Sequence, residues 1–369
     1  DAATFTIEKA PSTTTVTCPE SRVYTGAAIE PCTARATGAG GLDVAVTPVS
    51  YTDNVNAGTA HASASYAGDA NHSGSSDAAT FTIEKAPSTT TVTCGAGPFT
   101  YSGSPHTPCS AKATGAGGLD QSLTVSYANN VNAGTATASA TYAGDANHNG
   151  SSDSTTFTIA KATPTVTVNW AGWTFDGTAH PASGSVAGVG GADLGTPSFT
   201  YYSGSSGSGT PLAGAPSNVG TYTVVASYGG SPNYNPASAT KTVQVVYRWD
   251  GFLQPINDTA HQTGLAQSKF RLGQTIPAKF VIKNAAGAVV QQAPNPTFSR
   301  SGNLGSCDPN AVYDTIEEAV SPDAGVAYAW DGNQYHYNWS TKGLTSGVYR
   351  IFANLADGTK RYVDICLTK

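Results

Sequence analysis

Charge is scarce in this chain: Asp, Glu, Lys and Arg make up 11 % of its 369 residues, and the net charge is −6. No block of Lys or Arg exists to neutralise phosphates, which excludes a nucleic-acid partner. Long apolar runs are also missing, and none approaches the ~20 residues a helix needs to cross a bilayer. Methionine is absent and so is a leader segment, as expected of a processed part of a longer precursor. Helix-favouring sequence is nearly confined to residues 314–320 (DTIEEAV), one or two turns at most. Catalytic and cofactor signatures are lacking too. There is no Cys-x-x-Cys with a matching His pair for zinc and no Gly-x-Ser-x-Gly elbow. The Gly runs at 38–41 and 115–118 precede strand-like text, where a phosphate loop would precede a helix. No cofactor is expected.

What the chain has is repetition. Residues 1–18 and 77–94 both read DAATFTIEKAPSTTTVTC, and YTDNVNAGTAHASASYAGDANHSGSSD at 51–77 returns as YANNVNAGTATASATYAGDANHNGSSD at 127–153. The period is 76 residues, so Phe5, Phe81 and Phe157 align, as do Cys18 with Cys94 and Tyr66 with Tyr142. A unit of that length suits a small independent domain better than a solenoid turn. Within it, residues 135–142 (TATASATY) alternate strictly, with Ala136, Ala138, Ala140 and Tyr142 on one face and hydroxyls on the other. Period two over eight residues is a half-buried strand. Thr and Val favour strands, and Gly, Asn, Asp and Pro clusters punctuate them, so the expected class is all-β.

Six cysteines fall in pairs by position: Cys18 with Cys32, Cys94 with Cys109, and Cys307 with Cys366. One pair per domain, with none in the third, reads as a disulfide framework. A thin core needs such a staple, and closing a loop of ~15 residues contributes roughly 3 kcal/mol in the chain-entropy model. Disulfides place the chain in an oxidising compartment, secreted or at a cell surface.

The expected organisation is the last strand of a preceding repeat at 1–9, then repeats at 10–85 and 86–161, a divergent third at 162–246, and a C-terminal domain at 247–369. The joints Glu84-Lys85-Ala86-Pro87 and Lys161-Ala162-Thr163-Pro164 are short and Pro-stiffened, which leaves little hinge freedom. Four such domains end to end would span on the order of 150 Å. The Gly/Ser run at 203–209 reads as a loop within the third repeat. Gly220-Thr-Tyr222 and Gly347-Val-Tyr349 resemble the tyrosine corner of immunoglobulin-like sandwiches, while the first two repeats have Ala60 and Ala136 at the Tyr position. The text YTG, NAGTAxAxAxY, GDANHxGSS and a closing TFTI resembles the tandem bacterial immunoglobulin-like (Big/MBG-type) repeats of secreted surface proteins. The segment GFLQPIND, followed by Pro277-Ala-Lys279-Phe280 and a late Cys, is similar to a small P-x-K-F terminal domain of such proteins. The resemblance implies tandem immunoglobulin-like β-sandwiches and brings no catalytic residue with it.

Two local constellations carry chemistry. In the GDANH loops, Asp69, Asn71 and Asp77, with Asp145, Asn147 and Asp153, mimic part of a calcium-loop spacing. Thr80 and Thr156 stand where a bidentate Glu is needed, so polar turns without metal are favoured. The aromatics Trp330, Tyr335, Tyr337 and Trp339 flank a turn at Asp331-Gly332. They form either a platform for a glycan or partner protein, or the core of the C-terminal domain; core is favoured because half of each strand must face inward. A Lys–Asn crosslink is disfavoured, because Lys112 of the second repeat has only Arg35 as its counterpart. Asn71, Asn149, Asn257 and Asn338 match the glycosylation sequon.

These readings point to a non-catalytic extracellular structural protein, a rigid stalk, adhesin or fibre subunit, which associates with itself or with upstream repeats. A C-terminal domain that binds glycan or cell wall is the alternative.

Overall fold

The structure, a computed structural model, describes residues 1–316 and 320–369; the helix-favouring stretch 314–320 thus lies partly outside them. All regular structure among the described residues is β-strand apart from three single-turn 3-10 segments. The chain is all-β, its strands arranged in successive pairs of sheets. It divides into two compact units, Asp1–Ala162 with Pro232–Tyr234, and Thr163–Ser231 with Asn235–Lys369.

In the first unit the 76-residue period produces the same pair of sheets twice. Ser12–Thr17, Thr33–Gly38 and Leu42–Ala45 make a three-stranded antiparallel sheet. Ser21–Val23, Ser75–Glu84, Gly58–Tyr66 and Ser50–Thr52 make a four-stranded one, in which the short first strand runs parallel to its neighbour. Ser88–Cys94, Cys109–Gly115 and Leu119–Leu123 repeat the first sheet. Phe99–Thr100, Ser151–Ala160, Gly134–Tyr142 and Ser126–Ala128 repeat the second. Strand alternation sends Thr and Ser outward and small apolar groups inward. The first core is therefore Val16, Ala34, Ala36, Ala60, Ala62, Ala64, Phe81 and Ile83, and the second has Val92, Ala111, Ala136, Ala138, Ala140, Phe157 and Ile159.

Three disulfides join Cys18 to Cys32, Cys94 to Cys109 and Cys307 to Cys366. In the repeats the bond links neighbouring strands of one sheet, with Cys94 opposite Cys109 in register. The tie between the two sheets comes from a tyrosine. The Tyr51 hydroxyl accepts the Cys32 N–H at 2.8 Å and donates to the Cys32 carbonyl at 3.1 Å. Tyr127 does the same at Cys109, at 2.9 and 3.0 Å. Phe81 and Phe157 pack edge-on against these rings.

In the second unit, Thr165–Asn169 pairs with Ser183–Ala187, and Trp173–Thr174, Ala237–Val246, Gly220–Tyr228 and Ser198–Ser203 form the companion sheet. Tyr201 now supplies the tyrosine tie, accepting the Ala182 N–H at 2.8 Å. Tyr222 makes the corner, donating to the Val219 carbonyl at 3.2 Å, and Tyr349 does so to Thr345 at 3.1 Å. The remainder is a four-stranded sheet (Arg248–Leu253, Thr275–Lys283, Tyr335–Ser340, Ala329–Trp330) on a five-stranded one (Thr297–Arg300, Gly347–Asn354, Lys360–Thr368, Ser268–Arg271, Val312–Tyr313). Its core is rich in Phe, Tyr and Ile.

Removing one bond from a methyl-lined core should be costly. Tyr127→Phe leaves the Cys109 N–H and carbonyl without that partner and should destabilise the sandwich by about 1–3 kcal/mol. Replacing Cys94 and Cys109 together by Ala should cost roughly 3 kcal/mol. Because both act on the same backbone, the combined loss should fall short of the sum. Urea unfolding of the four species measures this; strict additivity would show that the two ties are independent.

Candidate functional site: the Asp-Ala-Asn-His loops

Each GDANH segment joins the last two strands of its repeat. The Asp69 carboxylate gathers the loop around itself: Oδ1 accepts the N–H groups of Asn71 (2.8 Å) and His72 (2.7 Å), and Oδ2 accepts the Tyr66 hydroxyl at 2.9 Å. His72 Nδ1 lies 2.9 Å from the same carboxylate, and its Nε2 is 2.9 Å from the Ala39 carbonyl. A doubly protonated imidazole satisfies both contacts. The histidine therefore bolts the loop to the Gly-rich turn after Thr33–Gly38. Asp145, His148 and Ala116 reproduce the arrangement at the same distances.

Hydrogen bonds from the Asn71 N–H and the Tyr66 hydroxyl hold the Asp69 carboxyl well below its ordinary 3.8. The Ala39 carbonyl, followed by Asp69, raises His72 above its ordinary 6.5. Withdrawal of Tyr142 from water and its bond to Asp145 push that phenol up to about 12. The carboxylates thus serve the turn. Asp77 faces elsewhere and accepts the Val16 N–H at 2.8 Å, as Asp153 does for Val92. Asp69 and Asp77, like Asp145 and Asp153, are spent on separate backbone contacts, and no group of three or more His, Cys, Asp or Glu among the described residues could hold a metal.

Asn147 does something the sequence reading missed. Its carboxamide reaches the neighbouring repeat: Oδ1 accepts the Ala57 N–H at 2.9 Å and Nδ2 donates to Asn56 Oδ1 at 3.1 Å. Beside it, Tyr24 of the first repeat packs edge-on against His148, with ring centroids 5.3 Å apart. Lys85 Nζ donates to the Asp145 carbonyl at 2.5 Å. The device recurs within the same unit, where Asn233 accepts the Ala133 N–H at 2.9 Å and donates to Asn132 at 3.0 Å. Tyr101 then packs on Tyr234, which stands in the position of His148. The signal was present in the sequence, since Asn-Ala-Gly and the loop asparagine recur together in the first two repeats.

The four aromatics of the C-terminal domain lie in or against its core. Tyr335, Tyr337 and Trp339 are buried in the C-terminal core, and Trp330 is half-buried against Tyr335 at 4.9 Å. Alternation along Tyr335–Ser340 turns His336 and Asn338 outward, into a shallow polar groove with Pro277 and Lys279. These four aromatics therefore form no exposed platform. The sequon residue Asn257 is also engaged, donating to the Ala266 carbonyl at 3.1 Å.

No known family model matches the sequence, and no curated protein resembles it. Among solved structures, the chain is similar to three N-terminal domains of the highly immunogenic outer capsid protein of bacteriophage RB49. That match has 14 % identity and a TM-score of 0.22, over 86 % of this chain and 98 % of that one. It is also similar to the insect immune protein hemolin, at 11 % identity and a TM-score of 0.18, over 95 % and 98 %. The eight N-terminal immunoglobulin domains of Down syndrome cell adhesion molecule match at 11 % and 0.19, over 97 % and 60 %. No residue correspondence follows from scores this low. Among the described residues, no helix is long and apolar enough to cross a membrane.

The His72–Asp69 clamp should have a pH window. Asp69, lowered from 3.8, contributes above that value, and its contribution is lost as pH falls through the folded pKa. His72, raised from 6.5, contributes fully below 6.5, and its contribution is lost as pH rises through the folded pKa. Protection of the Asn71 and His72 amides, corrected for intrinsic exchange, should peak between about pH 4 and 6.5. A flat profile, or one unchanged by Asp69→Asn, would show that the clamp does not hold the loop.

Proposed function

We propose that this chain is a non-catalytic extracellular structural protein, a stiff multi-domain stalk or adhesin shaft. Its domains are the repeats at 10–85, 86–161 and 162–246 and the C-terminal domain at 247–369. The observation that carries the reading is the joint between the repeats at 10–85 and 86–161, in which Asn147 engages Asn56 and Ala57 and Tyr24 packs on His148. A flexible tether has no use for such side-chain contacts, whereas a shaft needs one fixed angle from bead to bead. Three disulfides support an oxidising, extracellular setting. The histidines of the loops support a non-catalytic role, since Nε2 of His72 and of His148 faces a backbone carbonyl and not a nucleophile. The bacterial surface-repeat type and the P-x-K-F terminal domain, suggested by the sequence motifs, fit this role. The glycan-binding alternative loses the platform it needed.

Spin labels carried on unnatural amino acids at exposed Thr37 and Gln121 of the full chain test the shaft directly. Their distance distribution should be narrow, and Asn147→Ala should broaden it while leaving the disulfides and the global unfolding midpoint nearly unchanged. A broad distribution in the unaltered protein would make the joint a hinge and end the stalk reading.

A further inference from the structure

The core uses only half of the Pro277-Ala-Lys279-Phe280 motif. Ala278 and Phe280 point inward and are fully buried, with Phe280 stacked on Tyr335. Alternation puts Pro277 and Lys279 on the other face of the strand, where both line a groove of about 580 Å³. That volume lies within the range of small-molecule sites. The pairing register sets Lys279 directly opposite His336, and Pro277 opposite Asn338. Partners of this kind stand about 5 Å apart at Cβ, so the four form one continuous floor. The buried aromatics Tyr335, Tyr337 and Trp339 face the other side of the same sheet and take no part in it.

Lys279 is the unusual member. It is half-buried at the middle of Thr275–Lys283, yet among the described residues it makes no ion pair and no hydrogen bond. Lys283, on the same strand, is held by Asp250 at 2.7 Å. An ammonium drawn part-way out of water without an anion to face it costs free energy, so the groove favours a guest that brings one. Asp331 on the rim limits the guest's charge. Its carboxylate accepts the Asn333 and Gln334 N–H groups at 2.9 Å each, which holds it below its ordinary 3.8 and keeps it negative. One cation can meet a single negative charge, and the rim carboxylate repels a second. A phosphate carries nearly two charges and is best met by Arg forks; no Arg lines this groove. Beside the cation, the half-buried His336 ring and Asn338 carboxamide offer both donors and acceptors, and Pro277 adds an apolar patch.

We propose that this groove binds a carboxylate-bearing sugar, a uronate unit of an extracellular polysaccharide, with its carboxylate on Lys279 Nζ and its hydroxyls on His336 and Asn338. A uronate combines one carboxylate, hydroxyls that both donate and accept, and an apolar ring face, the three chemistries set side by side here. A fatty carboxylate would need an apolar slot, and most of the lining is polar. The inference goes beyond the stalk reading and does not rest on it.

The probes are oligosaccharides of glucuronate, galacturonate, mannuronate and guluronate, each compared with its methyl ester, added to the full disulfide-bonded chain. At least one acid should shift the Lys279, His336 and Asn338 amide signals, and its ester should bind roughly tenfold or more weakly, as loss of one charge-assisted hydrogen bond implies. Lys279→Gln should abolish that preference for acid over ester, while Lys342→Gln, an exposed cation outside the groove, should leave it intact. Because the ester comparison uses the unaltered protein, it stands even where a variant fails to fold. No shift at the groove with any acid, equal binding of acid and ester, or the same loss in Lys342→Gln would overturn the site. None of these outcomes bears on the Thr37–Gln121 distance, so the stalk reading stands or falls separately.

Discussion

The methyl-lined core governs the design of the first unit. An alanine side chain removes little apolar surface from water, and at about 25 cal/mol per Å² the row Ala60, Ala62, Ala64 supplies far less than the same row of Val or Leu would. Two aromatic or branched residues on the last strand, Phe81 and Ile83, carry much of what remains. Stability must therefore come from links that are not apolar. The disulfide fixes neighbouring strands of one sheet, and the Tyr51 hydroxyl fixes that sheet to the other through both polar groups of Cys32. Each link acts at one end of the sandwich; the Asp69–His72 clamp acts on the loop that joins the last two strands.

That loop shows how a polar sequence becomes a defined surface. An aspartate that accepts two backbone N–H groups and holds a histidine three residues on leaves the intervening Asn side chain free to point outward. The same Asp-x-x-His device recurs at Asp258 and His261, where the buried carboxylate also takes the Phe252 N–H at 2.7 Å. There it serves the interior of the C-terminal domain. In the second repeat it presents Asn147 to the preceding bead. A carboxamide that must match both a backbone donor and a side-chain acceptor is satisfied at only one separation and angle, so a polar contact can set geometry where an apolar one would slide.

The C-terminal domain solves the stability problem differently. Phe280 packs against Tyr328 and stacks on Tyr335, and Phe298 stacks on Tyr337 at 4.2 Å, so large rings fill the space that methyl groups leave thin elsewhere. Its outer face keeps a bidentate Arg350–Asp364 pair at 2.7 and 2.9 Å, with the guanidinium over Tyr362. A domain with that much buried aromatic surface can turn its aromatics inward and still leave a polar exterior.

Strand alternation, the 76-residue period and the pairing of cysteines by position are local or periodic properties, and they made the all-β tandem legible in the sequence. The tyrosine corner was legible for Tyr222 and Tyr349 because its Gly-x-Tyr spacing is short. The role of Tyr51 and Tyr127 was not, because their partners Cys32 and Cys109 lie 19 and 18 residues away on the other sheet. Alternation showed that Tyr335, Tyr337 and Trp339 share a face but not which face, since only the partner sheet decides what is inside. Asn147 and Asn56 are 91 residues apart. Each alone reads as an ordinary turn residue, and their meeting depends on the path that Ser75–Glu84 takes into the next repeat. The sequence determined the beads, because strand periodicity is written residue by residue; only the tertiary structure decided how one bead grips the next, because that contact joins loops from different repeats.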